Sequence, residues 1–384
     1  MKSFRSRRRH QMPPEAQQLQ KLANGLAESG CRAEDDFWER QIDTLLDQLL
    51  EQGEEDLLNG ALDAAFEDPR LYDVLAESIE SRAELAHDGE RTVLLIAAPV
   101  LAWSRVAIPA GRIPAAMLQS LRVQLQAHVL ANDIPLALAD RLLSPEQLPQ
   151  GFCETARLCA AMRAPVAAGG TLAIEDENLP EAARFLSDVR YVLAAIACRP
   201  GEPMFRWQEG GTRAQALEQW RKQGGAVLSP LLAGCAYELG LPDAYFSACR
   251  QADRSSRPFS IMASVDFLST TLDVTPAQMR ATVALFSDNE VEEYRVGFAI
   301  EDKPGLVHGV VWPLLGPEET TDSLAQLEAA LRDNGLTQIQ MLEQHFPIEY
   351  CDDCGAPLYP SAEGDALHAE LPEESAGQVP RHLH

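Results

Sequence analysis

The chain has 384 residues and a formal net charge of −26 at pH 7, and 46% of its residues are hydrophobic. This length predicts two or three domains, each with its own core. Such an excess of acid excludes a body that binds nucleic acid or anionic membranes over most of its surface. The longest apolar run, residues 93–103, is too short to span a bilayer and is typical of a buried strand.

A basic arm opens the chain. Five of its first ten residues are Lys or Arg and none is acidic. We expect residues 1–13 to be disordered and to make weak contacts with nucleic acid at most. No apolar stretch follows the arm, so no secretory signal is predicted. Eight cysteines without an export signal indicate reduced thiols and a cytoplasmic protein without membrane contacts.

Residues 14–88 have the pattern of an all-helical domain. One apolar stripe recurs at i, i+4, i+7, i+8 and i+11, and it consists of Trp38, Ile42, Leu45, Leu46 and Leu49. Asp35 or Asp36 can cap this helix and Gly53 can end it. Further helices are predicted at about 15–29, 54–66 and 70–83.

A repeated pattern fills the rest of the chain. Ile113-Pro114-Ala115-Ala116-Met117 predicts the start of a helix, and Thr275-Pro276-Ala277-Gln278-Met279 predicts the same in a second copy. Arg190-Tyr191-Val192 and Tyr294-Arg295-Val296 each lead towards a Pro-Gly turn. The matches indicate a duplicated unit.

Each copy is interpreted as strand, helix, strand, strand, helix, strand, which is the ferredoxin-like βαββαβ arrangement. We therefore predict an α+β protein, in which a helical N-terminal domain precedes two tandem ferredoxin-like units. The first unit spans 89–257, with a helical insertion at about 144–187. Its predicted elements are a strand at 92–104, a helix at 114–130, a strand at 134–143, a hairpin at 189–207, a helix at 213–223 and a strand at 243–250.

The second unit spans 258–360 and ends in a CxxC turn. Its predicted strands lie at 259–272, 291–301, 307–314 and 337–345, and its helices at 275–286 and 320–333. Residues 361–384 are polar and acidic, and we expect a disordered tail there.

The segment Cys351-Asp352-Asp353-Cys354-Gly355 carries the main chemical signal. Two thiolates at this spacing, followed by glycine, form a turn that directs both sulfurs at one Zn²⁺ ion. A closed tetrahedral site needs four ligands, and the nearest histidines are His345 and His368. The sequence therefore predicts a Cys₂His₂ zinc site made of Cys351, Cys354, His345 and His368.

Two other interpretations of the CxxC remain open. It could be a redox dithiol, although such cysteines usually lie at a helix N-terminus and the Gly-Ala-Pro after Cys354 opposes a helix there. It could also be a bare structural turn. Coordination geometry is the test that separates these cases.

No phosphate-binding glycine loop, GxSxG elbow or HExxH pattern occurs in the sequence. We therefore predict a non-enzymatic binding or regulatory protein whose partner is a small molecule or another protein. One alternative is a dithiol oxidoreductase or zinc-dependent enzyme centred on Cys351 and Cys354. The second is a nucleic-acid-associated adaptor that uses the basic arm. A pocket between the two units, lined by convergent polar groups, would indicate a small-molecule sensor.

Three blocks carry a family resemblance. They are SFRSRRR at 3–9, LAESG at 26–30 with EDDFWE at 34–39, and CDDCGAPL at 351–358 with HAE at 368–370. With these blocks the chain resembles a family of betaproteobacterial proteins of unknown function, over nearly its whole length. The resemblance implies a bacterial cytosolic protein and supplies no activity.

Overall fold

The computed structural model describes residues 13–104, 107–175, 177, 179–182, 187–288, 292–301, 303, 305–314 and 320–372. Over this part the chain is a mixed α+β protein, with an N-terminal group of helices followed by two larger sheets. The predicted arm, apart from Pro13, and the last twelve residues of the predicted tail lie outside the described residues. No helix in the described part is long and apolar enough to cross a membrane.

The elements occur along the chain in a fixed order, with 3₁₀ turns at Pro145–Gln147 and Pro276–Gln278. The helices are α1 (Pro14–Glu28), α2 (Arg32–Gln52), α3 (Glu55–Ala65), α4 (Pro69–Ala83), α5 (Ala115–His128), α6 (Phe152–Ala168), α7 (Arg206–Glu209), α8 (Arg213–Leu228), α9 (Tyr245–Leu272) and α10 (Thr320–Asp333). The strands are β1 (Leu85–Asp88), β2 (Arg91–Trp103), β3 (Gly111–Arg112), β4 (Leu136–Leu143), β5 (Thr171–Leu172), β6 (Ser187–Cys198), β7 (Ala236–Leu239), β8 (Asp243–Ala244), β9 (Met279–Ser287), β10 (Glu292–Ile300), β11 (His308–Pro313), β12 (Gln338–Pro347), β13 (Tyr359–Pro360) and β14 (Ala366–Leu367).

The N-terminal helices confirm the predicted helical segment. Gly53 ends α2 in a left-handed conformation (φ 78°), which glycine adopts without a Cβ penalty. Asp68 caps α4 by accepting a hydrogen bond from the Leu71 amide at 3.3 Å, with Pro69 in the first turn. The four helices share one apolar core. The start of α2 lies at Arg32, four residues before the predicted cap at Asp36.

The first sheet is buried on both faces. Its strand order is β1-β2-β6-β4-β3, with β7 and β8 also pairing with β2, and every contact among β2, β4, β6 and β7 is antiparallel. Alternate residues of β2 pack against α5 and α8 on one face and against α6 and α9 on the other. A strand covered on both faces has a continuous apolar run, as 93–103 predicted.

The second sheet has the order β11-β10-β9-β12. The contacts β11–β10 and β10–β9 are antiparallel, whereas β12 lies parallel to β9. Helices α9 and α10 pack against one face through a shared core. The segment that contains Tyr359 lies against strands β10 and β9. The predicted hairpin of 291–301 with 307–314 is confirmed as β10 and β11, with Gly305 in the turn (φ 78°).

The tandem ferredoxin-like arrangement is not confirmed, because two of the elements predicted for the second unit are wrong. Residues 259–272, predicted as a strand, form the second half of helix α9. This helix contacts both sheets, so its apolar residues surround it instead of forming one stripe. A short apolar run of this kind cannot be distinguished from a buried strand by periodicity. The domain boundary predicted at 257/258 falls inside α9, which continues through Pro258.

The other wrong element is the helix predicted at 275–286. Thr275-Pro276-Ala277-Gln278 does form one 3₁₀ turn, in which the Gln278 side chain accepts a hydrogen bond from the Thr275 amide at 2.9 Å. The chain then continues as β9, which occupies the middle of the sheet between β10 and β12. The helix-start signal is therefore local, and the strand pairing beyond it overrides propensity.

Three smaller corrections concern the ends of the units. The predicted strand 243–250 is mostly the start of α9. The predicted hairpin 189–207 contains only one long strand, β6, and after the turn at Gly201 the chain makes a single bridge between Leu130 and Phe205. Residues 361–372, predicted as part of a disordered tail, contain β14 and are ordered.

Two carboxylates join the helical domain to the rest of the fold. Glu55 accepts hydrogen bonds from the Phe152 and Cys153 amides at 2.9 and 2.8 Å, at the start of α6. Gly151 (φ 105°) is required there, since a Cβ would lie 2.4 Å from the Glu55 carboxylate. This pair places a negative charge at a helix N-terminus, where it is stabilising.

Glu84 is the second of these carboxylates. It accepts a hydrogen bond from the Phe246 amide at the start of α9, at 3.1 Å. Burial raises the pKa of Glu84 to about 7, and Glu80 and Asp243 act in the same direction, against the Phe246 hydrogen bond and the charge of Arg250. At neutral pH a large fraction of this side chain therefore remains protonated in the folded protein.

The raised pKa predicts a pH-dependent stability. Below pH 4.5 Glu84 is protonated in both the folded and unfolded states, and between pH 4.5 and about 7 the folded state binds more protons. The free energy of unfolding therefore falls as pH rises through this window, by up to about 3 kcal/mol from this group. In urea denaturation at pH 5 and pH 8, Glu84→Gln should lose this part of the pH dependence. Glu90→Gln, at an exposed carboxylate, should retain the wild-type slope; equal slopes for all three proteins would contradict the assignment.

Candidate metal site

A tight turn brings Cys351 and Cys354 together. The Cys351 amide donates to the Ala356 carbonyl at 2.7 Å, and the Gly355 amide donates to the Cys351 carbonyl at 2.8 Å. Gly355 has a φ of 72°, in the left-handed region that favours glycine. This loop, residues 350–357, is closed by a bridge between its end residues and is called the knuckle below. Its backbone holds two thiols on one side of a single turn.

A second hairpin brings His368 to the knuckle. Strands β13 and β14 pair through Tyr359 with Leu367 and Pro360 with Ala366, and His368 follows β14 directly. Two residues later the Glu370 amide donates to the Leu306 carbonyl at 2.8 Å. The position of His368 is therefore fixed on both sides by backbone hydrogen bonds.

Three ligand atoms meet where the knuckle and this hairpin lie together. The two sulfurs and one ring nitrogen of Cys351, Cys354 and His368 lie within 4.8 Å of one another. The Cys354 Sγ is 3.3 Å from His368 Nε2. The other ring nitrogen, Nδ1, is 3.1 Å from a carboxylate oxygen of Glu370. A Nδ1–H that donates to this carboxylate leaves Nε2 as the lone-pair atom, which is the tautomer a metal ligand needs.

The electrostatic setting of the group is favourable to a cation. Asp352 and Asp353 lie between the two cysteines and are exposed. Cys354 is exposed, whereas Cys351 and His368 are half-buried, so an ion can reach the group from solvent. The arrangement can hold one soft or borderline metal ion through sulfur and nitrogen.

His345 is not part of this group. It lies exposed on β12 opposite Leu285 of β9, next to the buried Phe346. Successive side chains of a strand point to opposite faces, and Phe346 stacks on Phe286 at 5.0 Å. The structure thus brings together three of the four predicted ligands, and the role of His345 remains a prediction.

A pair of glycines allows the C-terminal hairpin to lie against the second sheet. Gly297 of β10 and Gly309 of β11 are direct neighbours across the two strands. A Cβ on Gly297 would lie 2.3 Å from the Pro360 carbonyl oxygen, and one on Gly309 would lie 2.4 Å from the Tyr359 ring. The sequence offered this signal, because glycine inside a strand often marks a close approach of another segment.

Arg295 of β10 holds the knuckle on the sheet. Its Nη1 donates to the Glu349 and Leu358 carbonyls, both at 2.8 Å, and these two residues flank the knuckle. Its Nε donates to Glu293 at 2.7 Å, and its side chain is fully buried, with 0% exposed. The guanidinium also lies 5.4 Å from the ring centre of Tyr350. The guanidinium fork can bond several acceptors at once, which an ammonium cannot do with the same geometry.

The other cysteines predicted as buried thiols are confirmed as such. Cys153 and Cys159 lie on α6 in two different apolar cores. Burial raises the pKa of each thiol to about 12, so neither is a thiolate at neutral pH.

We expect Arg295→Gln to release the knuckle. The substitution leaves Glu293 without its buried partner, and breaking a buried pair from one side costs about 3–5 kcal/mol. Thermal denaturation should show the loss, and hydrogen exchange should accelerate at the amides of Cys351, Gly355 and Leu358. Arg280→Gln, on the exposed side of neighbouring β9, should change stability by less than about 0.5 kcal/mol. Unchanged exchange in the knuckle would contradict the role given to Arg295.

Comparison with known proteins gives a family for the chain. The family model of DUF2863, described as a protein of unknown function, matches residues 4–382. Neither the search of curated proteins nor the search of solved structures gave a match. The resemblance expected from the sequence is confirmed: the chain belongs to the DUF2863 family of proteins of unknown function.

Proposed function

We propose that this protein binds a zinc ion through Cys351, Cys354 and His368 and acts as a non-enzymatic binding or regulatory protein. One observation carries the proposal: the ligand atoms of these three residues, from two separate hairpins, lie within 4.8 Å of one another. A bare structural turn would need only the knuckle. It would not need a histidine fourteen residues away, oriented by its own carboxylate.

The ligand types favour zinc over the other common ions. Thiolate and imidazole ligands suit zinc, whereas Mg²⁺ and Ca²⁺ prefer sets made of oxygen. Zinc takes four ligands in a tetrahedron, and its distances of about 2.0–2.3 Å to nitrogen and sulfur require ligand atoms that are already close. The 4.8 Å limit on the separations in this group meets that requirement after small side-chain adjustments.

Glu370 would act as the orienting group of the site. Metal-bound histidines usually donate their second ring N–H to a carboxylate or a carbonyl, and loss of that partner typically lowers metal affinity 10- to 100-fold. Here the carboxylate is 78% exposed, so it fixes the ring without being a buried charge itself.

Metal binding would stabilise a local part of the fold. The ion would join the knuckle to the β13–β14 hairpin, and the main sheets have cores of their own. Binding energy is coupled to the ordering of the segments that supply the ligands. The effect should therefore concentrate in residues 350–370.

Two finer interpretations are proposed together with the function. The path β2-α5-β4-β6-α8-β7, with the sheet order β7-β2-β6-β4, supports a single ferredoxin-like unit interrupted by α6. Eight free cysteines in the structure support a reducing compartment such as the cytoplasm.

Metal analysis of the purified full-length protein should detect stoichiometric zinc. Replacing Cys351 and Cys354 together with serine should remove it, and His368→Ala should weaken binding strongly because one of three ligands is lost. Glu370→Ala should lower the affinity by about 10- to 100-fold. Cys31→Ser, at an exposed cysteine far from the site in sequence, is the matched control and should leave the zinc content unchanged.

The two histidines separate the candidate ligand sets. His345→Ala should retain the wild-type affinity if His368 is the histidine ligand, and should lose affinity if the predicted Cys₂His₂ set is correct. Protein that is purified without chelators, carries no metal and cycles between a Cys351–Cys354 dithiol and a disulfide would replace the zinc proposal with the redox alternative.

A further inference from the structure

A cavity of about 430 Å³ lies beside the candidate metal site. It is bordered by the ends of β2 and β6 in the first sheet, by α9, and by β10 and β11 in the second sheet. The knuckle forms one wall through Cys354, Gly355, Ala356 and Pro357. Its volume falls in the range of about 300–1,000 Å³ that is typical of small-molecule sites. The position matches the sequence-based criterion for a small-molecule sensor.

Several polar groups converge on this cavity. Ser187 at the start of β6 is 2.9 Å from Ser260 of α9, oxygen to oxygen, and one turn further along α9 Ser264 is 3.0 Å from the ring nitrogen Nε2 of His308. Glu293, whose carboxylate is held by a fully buried arginine, also lines the space. These side chains belong to both sheets and to the helix between them, so their relative positions are fixed by packed elements and not by a flexible loop.

Trp103 adds an unused donor to the same wall. Its ring packs against Phe267 at 5.5 Å between ring centres, and its indole N–H is buried with no hydrogen-bond partner in the part of the chain that the structure describes. A buried donor without a partner costs about 1–3 kcal/mol. An acceptor on a bound molecule would remove that cost, so the indole is a second, independent indication of a ligand.

The metal site is incomplete on the side of this cavity. Zinc takes four ligands, and a site with three protein ligands keeps one position for water or an exogenous group. Among the described residues, the group of close ligand atoms contains three members. One of them, Cys354, lines the cavity itself.

We infer that the fourth position of the metal opens into this cavity and is taken by a small monoanionic molecule. Its carboxylate or thiolate would coordinate the ion, and its uncharged body would lie between Trp103 and His308. This inference rests on the zinc site proposed above. It adds the class of ligand and the place where the ligand lies.

Charge balance supports a monoanion. A Zn²⁺ ion with two thiolates and a neutral imidazole has no net charge, so it accepts one anionic group. The Glu293 carboxylate in the same cavity disfavours a second negative charge on the ligand. The serines and His308 can hydrogen-bond to hydroxyl, amide or carbonyl groups of the body.

Cobalt substitution provides the experiment. The full-length protein is loaded with Co²⁺, whose visible spectrum reports its ligands, and is titrated with phenylmethanethiol and with phenylacetate. Phenylacetamide, which has the same size without an anionic group, is the control probe. We expect saturable spectral changes with both anions and no change with the amide.

Filling the cavity should block the probes without removing the metal. Val311→Trp places a large side chain in the cavity wall, and Val123→Trp, at a half-exposed position on α5, is its matched control. Val311→Trp should bind Co²⁺ stoichiometrically and weaken both anions at least tenfold, whereas Val123→Trp should bind them as wild type does. If Val311→Trp does not fold, Ser260→Leu on the opposite wall serves the same purpose.

The outcomes separate this inference from the zinc proposal. Absence of metal in the wild-type protein would overturn the zinc site, and with it the coordinated ligand. Stoichiometric Co²⁺ with a spectrum that no anion alters would leave the metal site intact and overturn the open position. Equal anion binding by wild type and both cavity variants would place the anion on the solvent side of the ion and overturn the cavity.

Discussion

The placement of the C-terminal segment depends on one buried guanidinium. Arg295 has no exposed side-chain area, and it binds the carbonyls on both sides of the knuckle together with Glu293 on its own strand. Its Nη2 has no partner among the described residues, so the group is not fully satisfied even here. A buried charge of this kind contributes little net stability over an apolar replacement. Its value lies in geometry, because the two carbonyls can be satisfied together only when the knuckle occupies one position.

The first sheet contains a similar device. Arg190 of β6 is buried, forms an ion pair with Asp188 two residues earlier, and donates to the Ile108 and Pro109 carbonyls of a loop. Glu293 and Arg295 have the same spacing, which places acid and base on one face of a strand. The local sequence similarity around these arginines was interpreted as evidence of duplicated units. Its physical content is narrower: in each sheet an acid-x-Arg strand holds an irregular segment over the sheet.

The sequence predicted those parts of the fold whose patterns have one physical cause. The stripe of α2 faces a single core, and β2 is covered on both faces, so each pattern allows one interpretation. Helix α9 lies between two sheets, and its apolar run has no stripe. Pro258 appeared to be a boundary, because proline in a helix interior removes a hydrogen bond. The packing of α9 on both sheets overcomes that cost, and neither packing partner can be recognised from the local sequence.

Three of the four predicted ligands come together in the structure, and the fourth shows what spacing cannot decide. His345 is nearer in sequence to Cys351, but it belongs to a strand whose alternation is fixed by the buried Phe346. His368 is farther away, yet a hairpin returns it to the knuckle because Gly297 and Gly309 leave room for Tyr359 and Pro360. Those glycines and Arg295 are the residues that sequence reasoning passed over, and they determine where the cysteines lie. The cavity follows from the same arrangement, since the sheet edge, α9 and the knuckle can enclose a space only when the knuckle is held at β10. A change at Arg295 should therefore affect the metal site and the cavity together, although it contacts neither the ion nor a ligand.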